Sequence, residues 1–340
     1  MKGAYLQLKL SILDYVPIFE NSNAHDAFKH SITLAQTAEK LGYTRFWVAE
    51  HHNVFSVASS APEIVMMMLL EHTQTIKIGS GGVMLPHYSA YKVAEQFKIM
   101  AACHPHRIDM GLGRSPSFKQ VNEALNEYKS KKPTLDNQID DLRHYFSNQY
   151  DEPHRYMSIY ATPQIDDSPD MFILGMSQRS AELAAQKGLP FVIAYMGQPQ
   201  DKLNHLISYY RHRYNQLNDI SKSKKPYVIL STFVVTAQTS NKVADLLDAL
   251  HLWLLRINYL NQPKSYPSII TAQHRHYTSS ELKKIEQNKR RVISGLPNEV
   301  RIKLTQLIET YHVDEIMVMP HVFGEEARLE LIQLIANTSQ

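Results

Sequence analysis

Hydrophobic strand segments and helix patterns alternate eight times along this chain, and this alternation constrains its fold more than any other feature. Parallel strands joined by crossover helices produce such an order, either in a closed barrel or in a doubly wound open sheet. The number eight favours the barrel, so we predict an α/β fold of the TIM (β/α)8 type. The eight predicted strands are 6–13, 44–49, 76–84, 107–113, 172–175, 191–195, 227–235 and 315–318.

The length of 340 residues is compatible with one such barrel, so we expect a single domain spanning 1–340. Two connections exceed ordinary loop length, one at 115–133 and one at 261–294. We expect both to be insertions at the C-terminal face of the barrel, where binding loops lie. The second insertion carries Arg275 and a helical pattern at 280–291, and we expect a mobile lid that supplies part of a substrate pocket. A fixed surface insertion is the alternative.

The composition excludes several classes of protein. The 36 Lys and Arg residues and the 33 Asp and Glu residues give a net charge of +3 without a long basic tract, which argues against a nucleic-acid partner. The single cysteine, Cys103, cannot form an internal disulfide, and no apolar run approaches the roughly 18 residues that a membrane span requires. Because the N-terminal segment lacks a signal-peptide pattern, we expect a cytoplasmic protein without a membrane partner.

The segment 62–72 is apolar on nearly every side and includes Ile64 and three consecutive methionines. A helix of this kind packs one face on its own barrel and leaves another face for a partner. We therefore predict a homodimer formed by this helix and its neighbour at 89–102. Coverage of the apolar face by the chain's own long loops is the alternative.

Five of the twelve glycines cluster at the ends of the third and fourth predicted strands, at Gly79, Gly81, Gly82, Gly111 and Gly113. Without a Cβ atom, the backbone there can approach a flat ligand or adopt an unusual peptide geometry. Packing inside the barrel and tight turns explain the same glycines without a ligand. The glycine pattern alone leaves both explanations open.

The second predicted strand ends at Glu50-His51-His52-Asn53. Catalytic groups of an α/β barrel lie at this end of the strands, and an imidazole accepts or donates a proton near neutral pH. An interior histidine with satisfied hydrogen bonds is the alternative. A metal site would need further ligands at comparable strand ends, and the pairs His104/His106 and His274/His276 lie elsewhere, so we expect no metal.

Arg114 follows the fourth predicted strand, and Ser177 and Ser180 open the helix after the fifth. A guanidinium beside helix N-terminal amides and hydroxyls is suited to a phosphate group. A helix cap at Ser177 and a surface charge at Arg114 would explain the same residues. No dinucleotide-binding fingerprint and no phosphate loop are present, which argues against a built-in nicotinamide site.

Several motifs, in this order and spacing, closely resemble the bacterial luciferase-like family of flavin-dependent monooxygenases. The resemblance covers nearly the whole chain, and the motifs are jointly more specific than any one of them. They are Trp47 to Asn53, Gly79 to Pro86, Val93 to Phe97, Arg107 to Arg114, Leu174-Gly175, Ser177, Ser180 to Ala185, Gly188 to Pro190, and Val313 to Val318.

The resemblance implies a barrel that binds FMN, with the isoalloxazine over the Gly81-Gly82 strand end and the phosphate near Arg114, Ser177 and Ser180. It also implies that His51 is the catalytic histidine, with Glu50 either orienting its ring or satisfying nearby backbone donors. Members of this family oxygenate a small organic substrate with dioxygen and with reduced flavin from a separate reductase. We expect the same small-molecule substrate class and the same kind of partner here.

The sequence departs from the family pattern in three places. His106 stands where the family usually has glycine before the fourth strand, on the structural face of the barrel. Met176 and Gln178 replace small residues in the loop expected to hold the cofactor phosphate, and His87 with Tyr88 stands where an Asn-His pair is common at the flavin pocket. We therefore expect His87 and Glu50 to influence substrate choice. The alternatives are a non-catalytic FMN-binding or carrier protein, a deazaflavin-dependent oxidoreductase and, supported by His51-His52 alone, a metal-dependent hydrolase.

Overall fold

Parallel strands form the centre of the protein in a computed structural model that describes residues 8–114, 117–127, 129, 131–147, 154–156, 159–219, 225–256 and 262–337. Within these ranges nine strands belong to one sheet. They are β1 (Leu10–Asp14), β2 (Arg45–Val48), β3 (Lys77–Val83), β4 (Ile108–Leu112), β5 (Asp170–Leu174), β6 (Phe191–Ala194), β7 (Val228–Thr236), β8 (Val292–Gly295) and β9 (Glu315–Met319).

Eight of these strands close into a barrel. The strands β1 to β7 are hydrogen-bonded in sequence order, β7 then pairs with β9, and β9 pairs with β1. At the closing seam Ile12 lies opposite Phe46 of β2 on one side and opposite Val318 of β9 on the other. The predicted TIM barrel is confirmed, although the start of its first predicted strand lies outside the described residues.

The strand β8 is absent from the sequence prediction, which placed only loop and helix in this segment. It pairs with the last part of β7, where Phe233 lies opposite Val292, whereas β6 pairs with the first part, where Phe191 lies opposite Val228. Nine residues make β7 long enough to hold both strands along one edge. A four-residue strand preceded by two arginines carries too little periodicity to be recognised from sequence.

Helices surround the barrel, and a short 3-10 turn at Leu85–His87 follows β3. In the described part of the chain the α-helices are α1 (Ala24–Lys40), α2 (Pro62–His72), α3 (Ala90–Cys103), α4 (Lys119–Leu125), α5 (Leu135–Ser147), α6 (Gln178–Gln186), α7 (Gln200–Leu217), α8 (Ser240–Arg256), α9 (Ile269–Gln273), α10 (Ser279–Lys289), α11 (Pro297–Tyr311) and α12 (Glu325–Asn337). None of them is long and apolar enough to cross a membrane.

Local sequence determines where these helices begin and end. At the start of α1 the side chain of Asn23 accepts a hydrogen bond from the backbone N–H of Asp26, which satisfies an otherwise free helix donor. At the end of α1 Gly42 has a φ of +78°, a backbone conformation that glycine adopts without steric penalty. Between these ends, the buried Leu34, Ala35 and Ala38 pack toward the core.

The described part of the 261–294 insertion is attached to the barrel. Its helices α9 and α10 pack on α8, and its strand β8 is hydrogen-bonded to β7. Arg275 donates from Nη2 to Glu281 Oε1 at 2.8 Å, and its guanidinium lies 5.5 Å from the ring centre of Tyr277, so its contacts are within the insertion. Asn261 lies outside the described residues. Closure of this segment as a lid stays a prediction.

The end of the barrel opposite the strand C-termini contains a buried ionic network. Arg45 donates to Glu315 at 2.9 Å and to Asp109 at 2.6 Å, and all three side chains are buried. Tyr227 donates its hydroxyl to Glu315 at 2.7 Å, and Trp47 donates its indole N–H to Asp109 at 2.9 Å. Because both carboxylates are charge-paired and hydrogen-bonded, the cation of Arg45 is tolerated inside the barrel.

A second buried ion pair fastens the last helix to the first strand. Arg328 of α12 donates from Nη2 to Asp14 Oδ1 at 2.5 Å and from Nε to the carbonyl of Pro320 at 2.9 Å. Ser31 of α1 and the backbone N–H of Val16 donate to the same carboxylate. Asp14 therefore joins β1 and α1 to α12 at the other end of the sequence.

Replacing Arg328 by Met leaves the Asp14 carboxylate buried without its cation. We expect the free energy of unfolding to fall by about 3–5 kcal/mol, the range typical for breaking one side of a buried pair. The double variant Arg328→Met, Asp14→Asn removes both charges and should be more stable than the single variant. Urea denaturation at pH 7 measures all three proteins. A double variant as unstable as the single one would show that packing of Arg328, rather than charge pairing, stabilises this contact.

Candidate active site

A cavity of about 560 Å³ opens at the C-terminal ends of the strands, where the barrel architecture predicts a site. The residues around it come from the ends of β1 to β5 and from the segment before α4. The cavity is lined by Tyr15, Glu50, His51, His52, Val54, Gly81, Gly82, Met84, Gly113, Arg114, Ser117, Phe118, Leu174 and Gly175.

The glycines of β3 and β4 allow two backbones to approach closely. A Cβ atom on Gly82 would lie 2.5 Å from the carbonyl oxygen of Gly111, and one on Gly111 would lie 2.2 Å from that of Ser80. The peptide bond between Gly81 and Gly82 is cis. Packing therefore requires glycine at two of these positions, and the Gly81-Gly82 pair also presents bare backbone to the cavity. The packing explanation is confirmed at these positions, and approach of a flat ligand stays a prediction.

His51 lies in the cavity wall without an ionic partner. Its backbone N–H donates to the carbonyl of Ser59 at 2.9 Å, and its ring centre is 4.6 Å from that of Tyr15. Its Nδ1 atom is buried and has no hydrogen-bond partner among the described residues. Burial lowers the pKa of His51 to about 4, although the Glu50 charge opposes this shift. The expectation of an imidazole that titrates near neutral pH is therefore corrected, because the ring is neutral at pH 7.

Glu50 positions His52 and not His51. Its Oε1 atom lies 2.7 Å from His52 Nε2 and accepts the hydroxyl hydrogen of Tyr88 at 2.5 Å, while Oε2 accepts the backbone N–H of Met84 at 2.7 Å. Among the described residues no hydrogen bond joins Glu50 to the His51 ring, whose Nδ1 atom has no partner. Of the two roles open for Glu50, satisfying nearby donors is the one observed.

Arg114, Ser177 and Ser180 lie together at the start of α6. Arg114 Nη2 donates to Ser177 Oγ at 3.2 Å, and the two serine hydroxyls are 3.1 Å apart. Ser177 also caps the helix, since its Oγ accepts the backbone N–H of Ser180 at 3.3 Å. Among the described residues no carboxylate pairs with Arg114. This cluster borders a second cavity of about 430 Å³, which Arg114 and Ser180 also line.

The two departures beside this cluster leave it intact. Gln178 is exposed, and 45% of Met176 is accessible to solvent. Met176 also lines an 80 Å³ cavity with Gly81 and Leu174 beneath the main one. Neither side chain contacts Arg114 or the serine hydroxyls through a hydrogen bond, so the phosphate-site geometry predicted from sequence is not displaced.

His87 faces the 115–133 insertion. Its Nδ1 atom lies 2.9 Å from Asn126 Nδ2, and its carbonyl accepts a hydrogen bond from Lys129. The ring is buried. His87 thus holds the insertion against the turn after β3 and is not among the residues that line the main cavity, although an influence on substrate choice stays a prediction.

The sequence analysis did not predict two aromatic side chains at the mouth of the barrel, Tyr15 and His321. Tyr15 directly follows β1, and His321 lies two residues after β9, with their ring centres 5.1 Å apart. Both His321 ring nitrogens are buried without a partner in the described part of the chain, and burial holds the pKa of His321 well below its usual range. Their positions just after strands were the signal that could have identified them.

The described residues contain no group of three His, Cys, Asp or Glu side chains placed to hold a metal ion. His51 and His52 point to different partners, since His52 is paired with Glu50 and His51 is packed on Tyr15. The cavity combines a backbone wall at Gly81 and Gly82, the imidazole of His51 and the guanidinium of Arg114.

Comparison with known proteins gives consistent results. The chain is 36% identical over 331 residues to an uncharacterized protein of Bacillus subtilis (strain 168), YceB, with 97% of this chain and 98% of that protein covered. It is 46% identical over 190 residues to N-acetyl-S-alkylcysteine monooxygenase of the same strain, which covers 55% of this chain and 57% of that enzyme. The crystal structure of apo-MsnO8 matches with a TM-score of 0.84 at 30% identity and covers 98% of both chains.

The family model described as luciferase-like monooxygenase matches residues 10–312. This range begins at β1 and includes every residue that lines the main cavity. The match therefore covers seven of the eight barrel strands and the residues that line the main cavity, while β9 lies beyond it, and the chain belongs to the luciferase-like monooxygenase family.

Proposed function

We propose that this protein is a monooxygenase that takes reduced FMN from a separate reductase and uses dioxygen to oxygenate a small organic substrate. The observation that carries the proposal is a single cavity containing the Gly81-Gly82 backbone wall, the neutral His51 and the Arg114 corner. Membership of the luciferase-like monooxygenase family supports the reaction class. The absence of a dinucleotide-binding fingerprint in the sequence supports the need for a separate reductase.

The residues present fit FMN at both of its ends. Arg114 has no carboxylate partner among the described residues, and the start of α6 adds two hydroxyls and helix N–H groups, a combination that suits a phosphate dianion. The flat wall at Gly81 and Gly82 has no side chains and suits a planar ring system. The group would supply the electrons that activate dioxygen.

The protein's own residues would control protons and water around that ring. His51, uncharged at neutral pH, offers a buried Nδ1 atom without a partner that can exchange a proton with a neighbouring group. Tyr15 covers one side of this imidazole, and apolar side chains such as Val54 and Phe118 line the cavity. These groups exclude water from one side of the site, which suits chemistry that water would divert.

The substrate class is also a proposal. The relative named N-acetyl-S-alkylcysteine monooxygenase shares 46% identity with this chain over 190 residues, which are 55% of this chain. We infer that this protein also acts on a thioether. A carrier protein and a deazaflavin-dependent enzyme are the competing functions, and the first experiment below tests the monooxygenase against both of them.

The His51→Ala variant tests the catalytic role. With reduced FMN, oxygen and N-acetyl-S-methylcysteine, we expect the wild-type protein to form a product 16 Da heavier, and the variant to form it at least about 100-fold more slowly. FMN affinity should change little. The exposed His25→Ala is the control. Product mass and oxygen consumption are measured together. Wild-type activity in the variant would contradict the role of His51, and absence of product from wild type with every thioether, aldehyde and amine tested would favour a carrier.

The Arg114→Ala variant tests the phosphate corner. Because a hydrogen bond to a charged group contributes about 1.5–3 kcal/mol, we expect FMN affinity to fall roughly 10–100-fold. Riboflavin has no phosphate, so its affinity should stay nearly constant and serves as the internal control. Fluorescence titration measures both ligands. Equal losses for FMN and riboflavin would mean that Arg114 acts through packing.

The homodimer also remains a proposal, supported by exposed apolar side chains on two adjacent helices. Ile64 of α2 is 70% exposed and Ile99 of α3 is 49% exposed, and Gln96 of α3 donates to Glu63 of α2 at 3.2 Å. We expect Ile64→Lys to convert a dimer into a monomer at micromolar concentration. Ile302→Lys on α11, where the side chain is 58% exposed, is the matched control. Sedimentation equilibrium measures the mass. A monomeric wild type would rule the dimer out.

A further inference from the structure

Arg291 is fixed at the mouth of the barrel by its backbone. The next residue, Val292, begins β8 and lies opposite Phe233 of β7. On the other side, Gly197 has a φ of +69°, and a Cβ atom on it would lie 2.7–2.8 Å from Arg290. The loop after β6 therefore packs directly against the residue before Arg291. Both contacts hold this part of the insertion between the ends of β6 and β7.

The guanidinium of Arg291 has no acidic partner in the described part of the chain. Nη2 lies 3.6 Å from Met196 Sδ, Nη1 lies 3.4 Å from Asn288 Oδ1, and the buried Nε has no hydrogen-bond partner among those residues. No carboxylate among the described residues comes within 4.0 Å of it. Arginines in protein interiors are normally paired, as Arg45 and Arg328 are here.

Arg291 also lies close to the proposed active site. The Phe233 ring, beside Val292 in the sheet, is 6.1 Å from the ring of Tyr15, and Tyr15 lines the main cavity next to His51. Burial lowers the pKa of Arg291, and the phenolate of Tyr15, which forms only at high pH, opposes this shift. The guanidinium is thus half-buried and near Tyr15, which lines the cavity, although Arg291 is not itself one of the lining residues.

We propose that Arg291 binds the carboxylate of an anionic substrate. This inference rests on the proposed function, because it assigns a substrate group to the same site. Arg114 already occupies the corner suited to the cofactor phosphate, so the chain has a second unpaired cation for a second anion. A single guanidinium balances a single negative charge, and its paired donors match the two oxygens of a carboxylate. The thioether of an acylated amino acid carries such a group.

The test compares one substrate with and without its charge. N-acetyl-S-methylcysteine and its methyl ester are titrated into FMN-saturated protein by calorimetry, and both are then assayed for turnover with reduced FMN. We expect wild type to bind the acid at least 10-fold more tightly than the ester. Arg291→Met should weaken binding of the acid by about 10–100-fold and binding of the ester by less than twofold. Arg291→Lys keeps the charge and should restore part of the preference.

Two controls isolate the effect. Arg290→Met removes the preceding, exposed arginine and should leave the preference for the acid unchanged. FMN affinity should be equal in wild type and in Arg291→Met. Loss of FMN binding in that variant would overturn the proposal, because Arg291 would then hold the cofactor. If Arg291→Met does not fold, Arg291→Lys and Arg291→Gln provide the same acid-to-ester comparison.

The outcomes separate this inference from the proposed function. A wild-type protein that prefers the acid through Arg291 but forms no oxygenated product would support the carboxylate site and contradict the monooxygenase. A wild-type protein that forms product while Arg291→Met keeps the full preference for the acid would overturn the carboxylate site alone. Equal affinity of wild type for acid and ester, or no binding of either, would also overturn it.

Discussion

Hydrogen bonding between β1 and β9 is the interaction on which the rest of the structure depends. It joins residues near position 12 to residues near position 318 and closes eight strands into one ring. Because all strands of the ring are parallel, closure brings their C-terminal ends to one rim, and side chains from β1 to β5 then share a cavity. The Asp14–Arg328 pair strengthens the same seam by fastening α12 beside it.

Charge is distributed differently at the two ends of this ring. At the N-terminal end, Arg45 is neutralised by Glu315 and Asp109, so that end is suited to stability. At the C-terminal end, Arg114 and Arg291 lack carboxylate partners among the described residues, and the single acidic side chain that lines the cavity, Glu50, is already engaged. An unpaired cation is unfavourable in an empty site and becomes favourable when an anion binds.

The sequence predicted the barrel and the composition of the site better than the contacts inside it. Strong periodicity identified the eight strands of the barrel. The strand β8 was not predicted, because four residues that follow two arginines are too few to show an alternating pattern. The motif Glu50-His51-His52 indicated a candidate site but not its pairing, since both histidines lie within two residues of the carboxylate. Only the fold determines that His52 meets Glu50 and that burial lowers the pKa of His51.

The strand β7 pairs with β6 along its first part and with β8 along its last part. As a result, the proposed site is built from two separate parts of the chain. The residues proposed to hold the cofactor all lie before position 181, whereas Arg291 reaches the mouth only because β8 docks on the free edge that β6 leaves along β7. In the proposed assignment, the cofactor contacts residues that precede position 181, and the substrate carboxylate contacts Arg291, which follows β7. Exchange or divergence of the block after β7 could redirect the chemistry to another substrate while the cofactor-binding walls stay unchanged.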